Sequence, residues 1–225
     1  MSGSYWLNNW GALLISGDDA ERFLQGQLTC DVSSLADKSA LGAYCNLKGR
    51  MIALFYIQKY QDVFRLFMPQ SIIQTIEATL KRYVLRSKVI IEKSSAHVIV
   101  TNQNFELLDD LPDSLQPENA WLALQIQSGI GFLNHNTIGL FLPQELNIDT
   151  LGGVSFTKGC FLGQEVIARL HYRGQLKKTL KCLGISLNAL PDFGSKIETN
   201  EGTAQLVCAV QQAKDHWLTL LLFNQ

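Results

Sequence analysis

The chain has 225 residues, 47% of them hydrophobic, with 19 Lys and Arg set against 20 Asp and Glu. That length holds one large domain or two small ones, and the apolar share is ample for a packed core. A net charge of -1 leaves no broad basic face for nucleic acid or an anionic membrane, so any basic patch must be confined to one segment. The longest apolar stretches, such as 51–57 and 218–223, are too short to span a bilayer. Residues 1–10 hold no Lys or Arg and no apolar run, and so do not read as a signal peptide. The expectation is a soluble cytoplasmic protein.

In chain order, residues 11–16 read as a short buried strand. Asp18 then stands as a helix N-cap with Glu21 at the capping-box position, and the helix carries Phe23 and Leu24 inward to end near Gly26. Residues 44–60 read as strand, turn, strand, with the turn at Lys48-Gly49, and 62–68 as a further strand. Ser71 caps an amphipathic helix, since Ile72, Ile73, Ile76, Leu80, Tyr83 and Val84 recur at helical spacing. Strands are expected at 89–91 and 97–100. Residues 102–119 are polar, contain Pro112 and Pro117, and read as a connection. A short helix is expected at 121–127, loop over 129–147, a strand at 151–156 and a helix at 165–172. Strands return at 180–186, 204–210 and 217–223. The result is an α+β body over 1–174, abbreviated near 101–120, followed by a small all-β part over 175–225.

The five cysteines, Cys30, Cys45, Cys160, Cys182 and Cys208, are odd in number and widely spaced, with no CxxC. Neither a disulfide framework nor a zinc clip follows from that spacing. Cys182 and Cys208 fall in apolar, strand-like stretches and read as small buried hydrophobes. Cys160 sits instead in a polar, glycine-flanked loop, within Lys158-Gly159-Cys160-Phe161-Leu162-Gly163-Gln164-Glu165. Free N–H groups at the helix start that follows attract an anion or a carbonyl. A thiol in that field, two residues from Lys158, is placed to react. Gln164 and Glu165 add an amide and a carboxylate, which suit a heterocycle with amide-like edges. Arg169, His171, Tyr172 and Arg173 add cationic and aromatic groups on or just after the helix. Singly, each has a structural explanation: Glu165 favours the helix dipole, Gly163 permits a turn, Cys160 is an inert thiol. Together, with no comparable cluster elsewhere in the chain, they favour function.

The octet resembles the K-G-C-x-x-G-Q-E signature of YgfZ proteins and their mitochondrial iron–sulfur assembly relatives. The likeness extends along the chain. Gln25-Gly26-Gln27-Leu28-Thr29-Cys30-Asp31-Val32 resembles the family's QGQ-x-T-x-DV stretch. Cys45-Asn46-Leu47-Lys48-Gly49-Arg50 resembles its D-x-KG-K/R turn, with Asn46 where Asp is usual. Lys81-Arg82-Tyr83, Ser87-Lys88-Val89, 121–129, 141–145 and 151–156 match in order, so the resemblance covers most of residues 10–180. Family members are longer, with a fuller middle module and a larger terminal barrel.

The resemblance implies an aminomethyltransferase folate-binding-domain-like body with a barrel-like C-terminal part, and tetrahydrofolate or a derivative as ligand. In the related glycine-cleavage T-protein a carboxylate in the place of Glu165 holds the pterin, and a carboxylate suits that task by accepting two parallel hydrogen bonds. The implied cations for the folate's glutamate tail are Lys158, Arg169 and Arg173, with Lys48 or Arg50 from the turn. Gly159, Gly163, Gln164 and Gln27 complete the expected cofactor-binding set, and Cys160 is the functional thiol. An exposed basic face is the plain alternative for each cation, most of all for Arg50. Aligned on Asn46 and Gly49, the T-protein's acidic positions fall at Ala53 and Leu54, which cannot act as acid or base. The implied role is a folate-binding accessory protein rather than an enzyme. It would support iron–sulfur cluster assembly or repair and, through it, tRNA modification, with cluster-bearing proteins as partners. No cluster site is readable in the chain itself. The alternatives are a folate-dependent one-carbon transfer enzyme, and a thiol enzyme with Cys160 as nucleophile and His171 as base.

Overall fold

Near-continuous apolar runs such as 10–16 and 51–57 form strands that are covered on both faces. The computed structural model describes residues 3–35 and 38–224. Its elements are β1 (Ser4–Trp6), β2 (Trp10–Ser16), α1 (Ala20–Gln27), β3 (Ala40–Cys45), β4 (Met51–Tyr60), β5 (Val63–Pro69) and α2 (Gln70–Lys81). Then come β6 (Ile90–Lys93), β7 (His97–Thr101), β8 (Asn104–Leu108), β9 (Gln116–Pro117), α3 (Glu118–Gln127) and α4 (Gln164–Arg173). The chain finishes with β10 (Lys178–Ser186), β11 (Lys196–Thr199), β12 (Gly202–Ala213) and β13 (His216–Asn224). The fold is α+β.

The central sheet runs β3-β4-β5-β2-β6, antiparallel throughout. Successive side chains on a strand point to opposite faces, so β4 divides its residues between two cores. Ala53, Phe55 and Ile57 join Phe23 and Leu24 of α1 and Ile72, Ile73, Ile76 and Leu80 of α2. Leu54 faces the other way, as does Met51 beyond a register shift at the start of the strand, toward a second sheet of order β8-β7-β1-β9, toward α3, and toward the C-terminal sheet β10-β13-β12-β11. That last sheet is antiparallel and forms a half-barrel. It contributes Val207, Cys208, Val210, Leu220 and Leu222 to the same core as the body.

An aromatic cluster occupies the junction. Phe105 stacks on Tyr56 at 4.7 Å and on Phe67 at 4.8 Å between ring centres, and Trp121 meets Trp10 edge-on at 5.1 Å. Offset-stacked and edge-to-face pairs of this kind add to what burial alone contributes.

Several elements depart from expectation for identifiable reasons. Residues 102–119 are not a plain connection. Asn102 and Gln103 adopt φ of 51° and 68°, closing a tight hairpin that pairs β7 with β8 and buries Phe105. Asp19, not Asp18, stands at the N-cap of the first helix, but its carboxylate accepts from Arg22 and the Lys88 N–H rather than capping; Asp18 pairs with the Lys88 ammonium. Pro69, not Ser71, precedes α2, and Tyr83 and Val84 lie beyond its end. Residues 151–156 form no strand, because isolated contacts rather than a ladder hold them. Cys182 is exposed, on the open face of edge strand β10, whereas Cys208 is buried.

Phe105→Ala is expected to cost about 3–5 kcal/mol, the range for emptying a buried aromatic site. The midpoint of urea unfolding followed by circular dichroism measures it.

Candidate functional site

The signature loop is laid along the segment that follows α1. Thr29, fully buried, donates from Oγ1 to the Gly153 carbonyl at 2.6 Å and accepts there from the Ala43 N–H at 2.9 Å. The Ser155 N–H donates to the Thr29 carbonyl at 2.9 Å, and the Leu162 N–H to that of Gly26 at 3.2 Å. Lys158 turns inward, and its Nζ donates to the carbonyls of Leu28 at 2.8 Å and Cys30 at 2.7 Å. Its ammonium also lies 5.3 Å from the centre of the Phe161 ring. Burial pulls the Lys158 ammonium down to about 8, with charge at Cys30 and Asp31 opposing the shift. Gln25 braces the same segment, donating from Nε2 to the Asp31 carboxylate at 2.8 Å and accepting the Val32 N–H at 2.7 Å.

A second crossing fixes the start of α4. Gly163 sits at φ +81° as the residue before the helix, and a Cβ there would collide with the Asn46 carbonyl oxygen. Across from it Gly49 has φ +71°, and its missing side chain leaves room for Val166. Only glycine accepts both the left-handed backbone and the approach. The turn between them is ordered by Asn46, whose Oδ1 accepts from the N–H groups of Lys48 at 2.9 Å and Arg50 at 3.1 Å. An aspartate would accept the same pair, so Asn46 keeps the turn. Gln144, also buried, donates from Nε2 to the Ile167 carbonyl at 2.7 Å.

The structure separates the sequence-derived candidates. Cys160 and Glu165 are exposed, and neither makes a hydrogen bond or ion pair among the described residues. Gly159 lies in the same exposed turn and Gln164 opens the helix, half-buried. Lys48, Arg169 and Arg173 are exposed. Arg50 is committed to the Leu140 carbonyl. Gln27 is half-buried and its Oε1 is enclosed without a partner. His171 is stacked face to face on Phe156 at 3.8 Å. Ala53 and Leu54 are buried on opposite faces of β4, in separate cores. Burial raises the thiols of Cys30 to about 11 and Cys208 to about 12, and pushes that of Cys45 up further. Among the described residues no group of three His, Cys, Asp or Glu is placed to hold a metal. No helix there is long and apolar enough to cross a membrane.

Sequence reasoning missed one recess. A cavity of about 220 Å³ lies between the layers, lined by Ser39, Tyr56, Phe105, Trp121, Gln125 and Ser128 among others. The Tyr56 hydroxyl donates to Gln125 Oε1 at 2.5 Å, which leaves the Gln125 amide N–H groups without a described partner. Its lining residues are scattered from 39 to 130, so no local motif announces it.

No family model matches the chain. The architecture is of the aminomethyltransferase class: the glycine cleavage system aminomethyltransferase T from Bartonella henselae superposes with a TM-score of 0.67. That match covers 99% of this chain and 78% of the other at 12% identity, and speaks for the fold alone. In sequence, the tRNA-modifying protein YgfZ of Colwellia psychrerythraea is 30% identical, over 80% of this chain and 71% of its own length. The protein of that name from Shigella sonnei is 30% identical over 87% and 76%, and that from Klebsiella pneumoniae 29% identical over 97% and 84%. The chain belongs to the YgfZ family.

Two outcomes test the site's construction. Gly163→Ala must adopt a left-handed backbone at a cost of about 1–2 kcal/mol and also displace the 46–50 turn, so unfolding in denaturant should show at least that loss. For Lys158 the folded pKa lies below the unfolded one, so the unfolded chain binds more protons between about 8 and 10.5. Wild type should therefore gain stability relative to Lys158→Met as pH rises through that window, and lose it as pH falls toward 8.

Proposed function

We propose that the chain is a folate-binding accessory protein that supports iron–sulfur cluster assembly or repair and, through it, tRNA modification. The family's curated members carry the name tRNA-modifying protein. The observation that carries the reading is the pairing of immobility with unspent chemistry. A loop held by five hydrogen bonds to residues 26–30 presents a thiol at Cys160 and a carboxylate at Glu165, neither of them engaged. Reactive or binding groups work best on backbone fixed by such a second layer of contacts.

The residues fit a pterin. Gln27 Oε1 is a buried acceptor without a donor, and an unsatisfied buried acceptor costs about 1–3 kcal/mol until one arrives. Glu165 accepts from an amino group and ring N–H together. Arg169 stands one turn beyond Glu165 on the same face, and with Lys48 it offers cations for the glutamate tail. When bound, the folate would supply a one-carbon carrier; the chain's own residues bind and orient it. Cys160 is the group that meets a cluster-bearing protein, since Cys30, Cys45 and Cys208 are buried and Cys182, though exposed, lies on β10 outside the signature loop.

The aromatic recess favours a second placement for the heterocycle. Its volume is below the roughly 300–1,000 Å³ of drug-sized sites, which suits a ring system rather than a whole folate. Tyr56, Phe105 and Trp121 supply ring faces, and Gln125 a free amide donor.

The test has two arms. Complementation of a strain lacking its own homologue should be abolished by Cys160→Ser; unchanged complementation ends the thiol-centred role. Titration of purified protein with tetrahydrofolate should weaken about tenfold or more in Glu165→Ala, since two charge-assisted bonds are lost. Wild-type affinity in Glu165→Ala with loss in Gln125→Ala moves the pterin to the aromatic cavity. No binding by any form ends the folate reading.

A further inference from the structure

The C-terminal end of α4 carries groups that neither the thiol nor the pterin uses. Phe156, from the signature loop, supports His171 by face-to-face stacking at 3.8 Å and 16°. Tyr172 stands edge-on to both, 4.9 Å from His171 and 6.1 Å from Phe156. Tyr172 is nevertheless 68% exposed. A tyrosine whose ring is braced by two neighbours and still open to solvent is ordered in advance, so a partner need not bear the cost of fixing it.

Several charges near it in sequence have no carboxylate partner among the described residues. Between residues 164 and 181 the chain has Arg169, Arg173, Lys177, Lys178 and Lys181, with Glu165 as its single carboxylate. Lys178 and Lys181 pair with Glu145 and Glu201. Arg169, Arg173 and Lys177 have no carboxylate partner among the described residues, whereas Lys59, Lys81 and Lys88 elsewhere on the surface do. A cation at a helix C-terminus offsets the dipole by about 0.3–1 kcal/mol. That explains Arg173 but not Lys177, which lies past the helix, nor the exposure of Tyr172.

We propose that this end of α4 is a contact surface for single-stranded RNA, with Tyr172 stacking on a base and Arg173 and Lys177 meeting the flanking phosphates. Exposed aromatic rings interleaved with unpaired cations are the chemistry of single-strand recognition, because every base has a π face and every linkage a charge. A protein partner of the usual kind would ask for an apolar centre with a polar rim, and the residues after Tyr172 bring two cations, Arg173 and Lys177, against one partly exposed apolar side chain, Leu176. The patch is confined to one segment, which reconciles it with a net charge of -1. The inference deepens the tRNA-directed reading by giving the chain its own contact with RNA, about one helix length, or roughly 15 Å, from the thiol end.

The experiment is anisotropy titration of a labelled single-stranded oligoribonucleotide and of an anticodon stem–loop RNA, at several salt concentrations. Wild type, Tyr172→Ala, Tyr172→Phe and Arg173→Ala/Lys177→Ala are compared after melting curves confirm folding. Stacking is worth about 1–3 kcal/mol per base, so Tyr172→Ala should weaken binding roughly tenfold while Tyr172→Phe retains it. Removing two phosphate contacts should flatten the salt dependence by about 1.4 in log–log slope. No RNA binding by wild type, or equal binding by all four, overturns the proposal. The same variants are run in complementation. Loss with Cys160→Ser but not with the α4 variants overturns the RNA surface and leaves the accessory role standing. Failure of wild type to complement sinks that role, and the titration still decides this surface. Lost complementation in Tyr172→Ala with unchanged RNA binding assigns the face to a protein and overturns RNA.

Discussion

The site depends on one strap: residues 153–162 tied down onto residues 26–30. Thr29 is its knot, since one buried hydroxyl joins the Gly153 carbonyl to the Ala43 N–H of β3. Lys158 draws the loop in from the other side by spanning two carbonyls of the same segment. A buried hydroxyl with both roles satisfied rigidifies its surroundings, and either partner left alone would be costly. The strap fixes the loop's height; the crossing of Gly49 with Gly163 then fixes the direction in which α4 departs. Cys160, Glu165 and the aromatic trio are placed by those two contacts.

The strap also changes what the signature means. Lys158 reads in the sequence as a cation offered to a ligand, and the structure gives it to backbone carbonyls of residues far earlier in the chain. Gly163 reads as permission for a turn, and it is that, but its lack of a side chain equally serves the neighbouring turn. Nothing local to 158–165 could reveal either, because both partners lie more than a hundred residues away. Strand and helix positions were more legible. α2 declares itself by Ile72, Ile73, Ile76 and Leu80 at helical spacing, and β4 by its apolar run. The β7–β8 hairpin was hidden because Asn102 and Gln103 take positive φ without the glycine that marks such turns. The stretch 151–156 looks like a strand by composition, yet its backbone bonds go to Thr29 and to the local turn at 147–149 rather than to a ladder.

Ala53 and Leu54 show how the fold departs from acid–base chemistry at that place. Adjacent residues on a strand face opposite ways, and here both faces are closed: one by α1 and α2, the other by the aromatic junction. A carboxylate at either position would be stripped of water without a partner. The same junction leaves a recess of about 220 Å³, bounded in part by Tyr56, Phe105 and Trp121.

The way the strands are threaded bears on how the molecule is made. β1 pairs through Ser4, Tyr5 and Trp6 with Thr101, Val100 and Ile99 of β7, and through Tyr5 and Trp6 with Gln116 and Pro117 of β9. β13 lies between β10 and β12, not at an edge, and brings Leu220 and Leu222 to the core shared with the body. The second sheet and the central one thus wait for strands distant in sequence, and such long-range closure puts folding on the order of milliseconds to seconds rather than microseconds. Until β13 arrives, β10 and β12 present bare edges and apolar faces to other chains. Slow synthesis or low temperature during expression should therefore favour recovery of the native protein over its aggregates.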